Sequence, residues 1–150
     1  MLRILLPGFL AVLLLYGAPA NSEQKPAPVE LWKSPSCGCC SGWMKHMQSA
    51  GHAVNAHNVG QDALSRIKRM AGLSENLQSC HTAKIGGYVI EGHVPAKDIA
   101  RLLQEKPDAI GLAVPNMPMG SPGMEFGPEK EPYEVLLVKK DGSTEVFAKH

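Results

Sequence analysis

Val29-Glu30-Leu31-Trp32-Lys33-Ser34-Pro35-Ser36-Cys37-Gly38-Cys39-Cys40-Ser41-Gly42-Trp43-Met44-Lys45-His46-Met47-Gln48-Ser49-Ala50-Gly51 joins a short alternating run to a helical pattern through a knot of cysteines. Val29 to Trp32 alternates apolar and polar residues, the mark of a strand. Ser34-Pro35-Ser36 interrupts it, and Trp43 to Ala50 has helical character until Gly51 stops it. Cys37, Cys39 and Cys40 therefore fall at a strand-to-helix junction. At a helix start the macrodipole and the unpaired amide hydrogens favour thiolate, the form that acts as nucleophile and as metal ligand.

Downstream, Ala53 to Val59 reads as a second strand and Asp62 as the cap of a helix running to Met70, closed by Gly72. Thr82 to Ile85, the turn Gly86-Gly87 and Tyr88 to Glu91 make a hairpin. Pro95 opens a helix in which Ile99, Leu102 and Leu103 recur at helical spacing as far as Pro107. A βαβα unit followed by a ββα unit, with cysteines where the first strand meets the first helix, is the order of an α/β, thioredoxin-like domain. Val114 to Pro132 is rich in Pro, Gly and Met and reads as a long loop. Tyr133 to Val138, the turn Asp141-Gly142 and Ser143 to Ala148 form a C-terminal β-hairpin.

Upstream, residues 1–20 read as a signal peptide: Met1-Leu2-Arg3 is a positive start, Ile4 to Tyr16 is apolar, and Ala18-Pro19-Ala20 is a small-x-small cleavage site. The rival reading, an uncleaved anchor, conflicts with Pro7 and Gly8 and with a run shorter than the roughly 20 apolar residues of a spanning helix. Residues 21–28 are a polar, proline-bearing lead-in, and 29–150 form one domain. Losing Arg3 with the leader balances 14 basic against 14 acidic residues, and no basic stretch suits a phosphate backbone. Nucleic acid is therefore not an expected partner.

The chain has four cysteines, three clustered and the fourth in Ser79-Cys80-His81. Exported proteins meet oxidising conditions, yet two structural disulfides suit this pattern poorly. Neighbours such as Cys39 and Cys40 cannot bridge without strain, and the only long closures run from Cys80 to one of the cluster. A redox enzyme of this fold would use Cys37 and Cys40, two residues apart, but the intervening Cys39 would compete in exchange. Such enzymes also carry a cis-proline facing the motif, and no proline lies between Glu75 and Val94. Soft thiolates can bridge several Cu(I) ions, whereas closed zinc sites usually draw on two Cys-x2-Cys knuckles and this chain has one. His46 on the first helix and His81 beside Cys80 are additional candidate ligands. So are Met117 and Met124, which bracket Met119 in a loop where methionines are poor core material. Met44 and Met47 read as core, and His52, His57 and His93 as surface or capping residues.

With these motifs assembled, the chain resembles the CopG-type periplasmic copper-resistance proteins, the domain of unknown function 411 family. The resemblance rests on Ser34-Pro35-Ser36-Cys37-Gly38-Cys39-Cys40 followed by Trp43, on Ser79-Cys80-His81-Thr82-Ala83, on Gly87 to Pro95, and on Gly111 to Pro115 running into Met117-Pro118 and Gly120 to Met124. It implies a thioredoxin-like fold and a thiolate-bridged copper cluster with Cys37, Cys39, Cys40 and Cys80 as its sulfur ligands.

The expected function is an exported, periplasmic protein that holds copper as several Cu(I) ions, contributes to copper resistance and cycles copper between Cu(I) and Cu(II). The alternatives are a thiol-disulfide oxidoreductase using Cys37 and Cys40, and a copper chaperone working through the methionine loop. Expected partners are copper ions, other periplasmic copper-handling proteins and an electron partner.

Overall fold

The computed structural model describes residues 26–150, so the expected signal peptide, its cleavage point at Asn21 and most of the lead-in lie outside the described residues. The chain is a mixed α/β fold. It runs β1 (Val29–Lys33), α1 (Gly38–Ser49), β2 (Val54–Asn58), α2 (Gln61–Met70), a 3-10 turn (Glu75–Leu77), β3 (His81–Ile85), β4 (Tyr88–Glu91), α3 (Ala96–Glu105), β5 (Ala109–Ala113), β6 (Glu134–Lys139) and β7 (Thr144–Lys149). These strands form one seven-stranded sheet in the order β2-β1-β3-β4-β5-β6-β7. The pairs β1/β2 and β4/β5 are parallel, and the rest are antiparallel.

Helix α1 buries Cys40, Trp43 and Met47, a stripe at helical spacing that faces Val29, Leu31, Ile90 and Val94 in the core. Trp43 also satisfies its indole N–H, which donates to Val94 O at 2.9 Å. The helix begins at Gly38, earlier than its apolar pattern suggests, because Cys37 acts as the N-cap. Helix α3 packs Ile99 and Leu102 against the same core, and Pro95 stands at its N-cap, where a missing N–H is harmless.

Two sequence expectations are corrected, and one strand is added. Gly60, not Asp62, caps α2, and Asp62 lies in the first turn, where its charge still complements the dipole. Strand β5 went unrecognised because Ala109-Ile110-Gly111-Leu112-Ala113 carries no polar alternation; Leu112 and Ala113 are buried between β4 and β6. Gly111 is required there, since a Cβ at this position would collide with Val89 O and no side chain fits. His52, expected at the surface, is buried, and its Nδ1–H donates to Ala27 O at 2.9 Å.

Candidate metal centre

The four cysteines converge. Cys37 sits in extended conformation at the N-cap of α1, where its sulfur accepts the amide of Cys40 at 3.2 Å. Cys39 Sγ lies 3.5 Å from Cys37 Sγ and 3.7 Å from Cys80 Sγ. Cys80 is delivered by the turn before β3, which pairs with β1 and so brings residues remote in sequence to the start of α1. All four sulfurs lie within 4.8 Å of one another, a group that could hold metal. Cys37 and Cys40 are joined as a disulfide, and Cys39 and Cys80 are free thiols.

A second donor group shares Cys80. Its sulfur is 3.3 Å from His81 Nδ1 and 3.0 Å from His93 Nε2. His93, expected at the surface, is instead fully buried. Its Nδ1–H donates to Pro122 O at 2.8 Å, which directs the Nε2 lone pair at the sulfur. A ring whose far nitrogen is held by a backbone carbonyl is oriented as metal-binding histidines commonly are. His81 is also fully buried and packs its ring 4.7 Å from that of Trp43. Its Nε2 is the one buried side-chain nitrogen or oxygen among the described residues without a hydrogen-bond partner.

Burial controls the protonation of this pocket. It pushes the Cys80 thiol up to about 12, with the neighbouring Cys39 adding to the effect. Burial also holds His93 below its ordinary value and His81 well below it, so both imidazoles are neutral, the state in which they can ligate. A Cys80 thiol of this kind becomes thiolate only when a cation replaces its proton.

The remaining sequence candidates are placed differently. His46 is on α1, but its Nε2 accepts the amide of Ala96 at 3.0 Å and so is not available to metal. Met117 is 47 % exposed on the long loop, whereas Met124 is buried. That loop lies against the start of α1: a Cβ on Gly123 would come within 2.5 Å of both Cys39 O and Trp43 N, and one on Gly42 within 2.8 Å of Gly123 Cα. Gly123→Ala should therefore destabilise the protein by roughly 2–4 kcal/mol, combining overpacking with a left-handed backbone cost. Denaturant unfolding checks this against Gly127→Ala, whose φ is also positive but whose Cβ meets nothing within 4 Å; equal losses would exclude the clash.

The donor chemistry of soft sulfurs with two neutral imidazoles suits copper. A family model described as "Protein of unknown function, DUF411" matches residues 77–124, the part holding Cys80, His81, His93 and the loop to Met124. A solved structure titled "Copper resistance protein copG- Form 2" is 40 % identical with a TM-score of 0.77, covering 83 % of this chain and 98 % of its own. The chain belongs to the CopG copper-resistance protein family. "Copper resistance protein copG- Form 1" aligns over the same shares at 39 % identity and a TM-score of 0.77. No curated protein sequence matches the chain. Among the described residues, no helix is long and apolar enough to cross a membrane.

The sequence did not single out His93 as a donor. Gly92-His93-Val94-Pro95 lies 13 residues beyond Cys80 on the far side of the β3–β4 hairpin, and only strand pairing brings the two together.

Proposed function

We propose that this CopG-family protein is an exported copper-binding protein. Copper is its cargo, carried as more than one Cu(I) ion on the thiolates of Cys37, Cys39, Cys40 and Cys80, and the protein contributes to copper resistance by cycling copper between Cu(I) and Cu(II). The observation that carries this reading is the convergence of all four sulfurs within 4.8 Å. So small a space lets one thiolate serve two soft ions. Resemblance to structures titled copper resistance protein supports the same cargo. The β1-to-α3 portion is read as thioredoxin-like, on its element order and on its strand order β2-β1-β3-β4.

In the binding form Cys37 and Cys40 are reduced. The Cys40 amide then stabilises a Cys37 thiolate at the helix start. His81 and His93 hold neutral nitrogens against Cys80, which supports reading them as additional donors. Cys39 Sγ lies 3.5 Å from Cys37 Sγ and 3.7 Å from Cys80 Sγ, which supports a bridging role for its sulfur. Cys39→Ser should lower Cu(I) retained against a competing chelator to less than half of wild type. Copper analysis of anaerobically loaded protein is the check, and unchanged copper content would refute a shared cluster.

The Cys37–Cys40 disulfide specifically favours a second reading, a thiol-disulfide oxidoreductase. That reading requires turnover of protein disulfides by metal-free protein, surviving Cys39→Ser. Exposed Met117 favours a third, a chaperone handing copper to another periplasmic protein, which fails if transfer persists after the loop is removed.

A further inference from the structure

Four sulfurs that share one pocket are not in one state. Cys37 and Cys40 are joined, while Cys39 and Cys80, within 4.8 Å of them, remain thiols. Closing the disulfide therefore does not empty the pocket of donors. Cys39 and Cys80 stay 3.7 Å apart, with His93 Nε2 and His81 Nδ1 against Cys80. The chain thus separates a pair that can lose electrons from a set that can keep a soft ion afterwards.

We propose that Cys37 and Cys40 act as a two-electron reductant for Cu(II), with Cys39 and Cys80 retaining the Cu(I) produced. This rests on the copper-binding reading and supplies the electron source that copper cycling lacks. The step balances as two thiols and two Cu(II) giving one disulfide, two Cu(I) and two protons. The sulfur–sulfur bond forms between Cys37 and Cys40, each sulfur giving one electron to one copper ion.

Regeneration needs a dithiol reductant. Cys37 is partly exposed and Cys40 is fully buried, so an incoming thiolate reaches the Cys37 sulfur and expels the Cys40 thiolate. A second thiolate of the same reductant then releases Cys37 as thiolate and leaves the reductant as its own disulfide.

A plain pair of thiols in solution also reduces Cu(II), but it links whichever sulfurs collide. What distinguishes this site is which sulfurs are consumed. Cys39 is 3.5 Å from Cys37 and is the obvious wrong partner, while Cys37 and Cys40 have a Cα separation of 5.4 Å, within the ordinary range for a disulfide.

The test mixes the fully reduced chain, without oxygen, with two equivalents of cupric salt. Cu(II) is followed by its electron paramagnetic resonance; after copper is stripped in acid, thiols are counted and linked peptides mapped by mass. The expected result is loss of the Cu(II) signal, a fall from four thiols to two, and one link, Cys37 to Cys40, in monomeric protein. Cys40→Ser should abolish formation of an intramolecular link. Persisting Cu(II), a link involving Cys39 or Cys80, links between chains, or an unimpaired Cys40→Ser would each overturn the proposal. A parallel sample given Cu(I) directly tests binding alone. Cu(I) retained without Cu(II) reduction refutes only the electron-source role, and Cu(II) reduced without Cu(I) retained refutes only the binding site.

Discussion

Lys68→Met should be among the most destabilising single substitutions in the chain, although Lys68 touches no cysteine. Lys68 on α2 and Glu91 on β4 form an ion pair with side chains 3 % and 0 % exposed. Lys68 also donates to Thr82 Oγ1 at 3.0 Å, and Glu91 accepts from Thr82 Oγ1 at 2.7 Å. Most tellingly, Glu91 Oε1 accepts the amide of Ser79 at 2.6 Å and so holds the turn that presents Cys80. Burial pushes the Glu91 carboxyl up, with Lys68 opposing. Removing the ammonium alone strands a buried carboxylate, at a cost of about 3–5 kcal/mol. The double substitution Lys68→Met with Glu91→Gln should recover most of that loss. A neutral amide keeps an oxygen for the Ser79 amide and offers its NH2 to Thr82. Denaturant midpoints of the two variants are the measurement. A Lys68→Met loss below about 1 kcal/mol would show that the pair is solvated in practice.

That network also marks where reading the sequence stops. The order from β1 to α3 was legible because each element carries its own punctuation: Ser34-Pro35-Ser36 before α1, Gly86-Gly87 in the hairpin, Pro95 before α3. The convergence of Cys80 on Cys37, Cys39 and Cys40 was legible too, since the arrangement expected from the element order sets the loop before the third strand against the start of the first helix, and β3 does pair with β1. Nothing local distinguishes Lys68 from the exposed lysines, or His93 from His57, which lies exposed and stacked on Trp32. Their roles come from which strand their neighbour belongs to. β5 was hidden for the opposite reason, because Ala109-Ile110-Gly111-Leu112-Ala113 is apolar on both faces of the sheet and so has no alternation to show.

Cys80→Ser should have the largest effect on copper. Cys80 is the one residue common to both donor groups, the four-sulfur group and the pair of histidines. A serine hydroxyl is hard, and it would have to ionise to match a thiolate in a pocket where burial already opposes ionisation of the thiol. Its removal therefore separates His81 and His93 from Cys37, Cys39 and Cys40, and splits the site rather than trimming it. Replacing groups that merely orient a ligand commonly weakens metal binding by about 10–100-fold, so loss of this shared donor should, on the proposed reading, exceed about 100-fold in Cu(I) affinity. The fold should tolerate the change, because the Ser79 amide that anchors the turn is untouched. Competition against a chelator of known Cu(I) affinity, run beside a denaturant melt, separates the two effects. A variant that melts like wild type but loses copper places Cys80 at the centre of the site. A variant that keeps its copper would place the metal on the α1 cysteines alone and leave His81 and His93 as buried packing around Trp43.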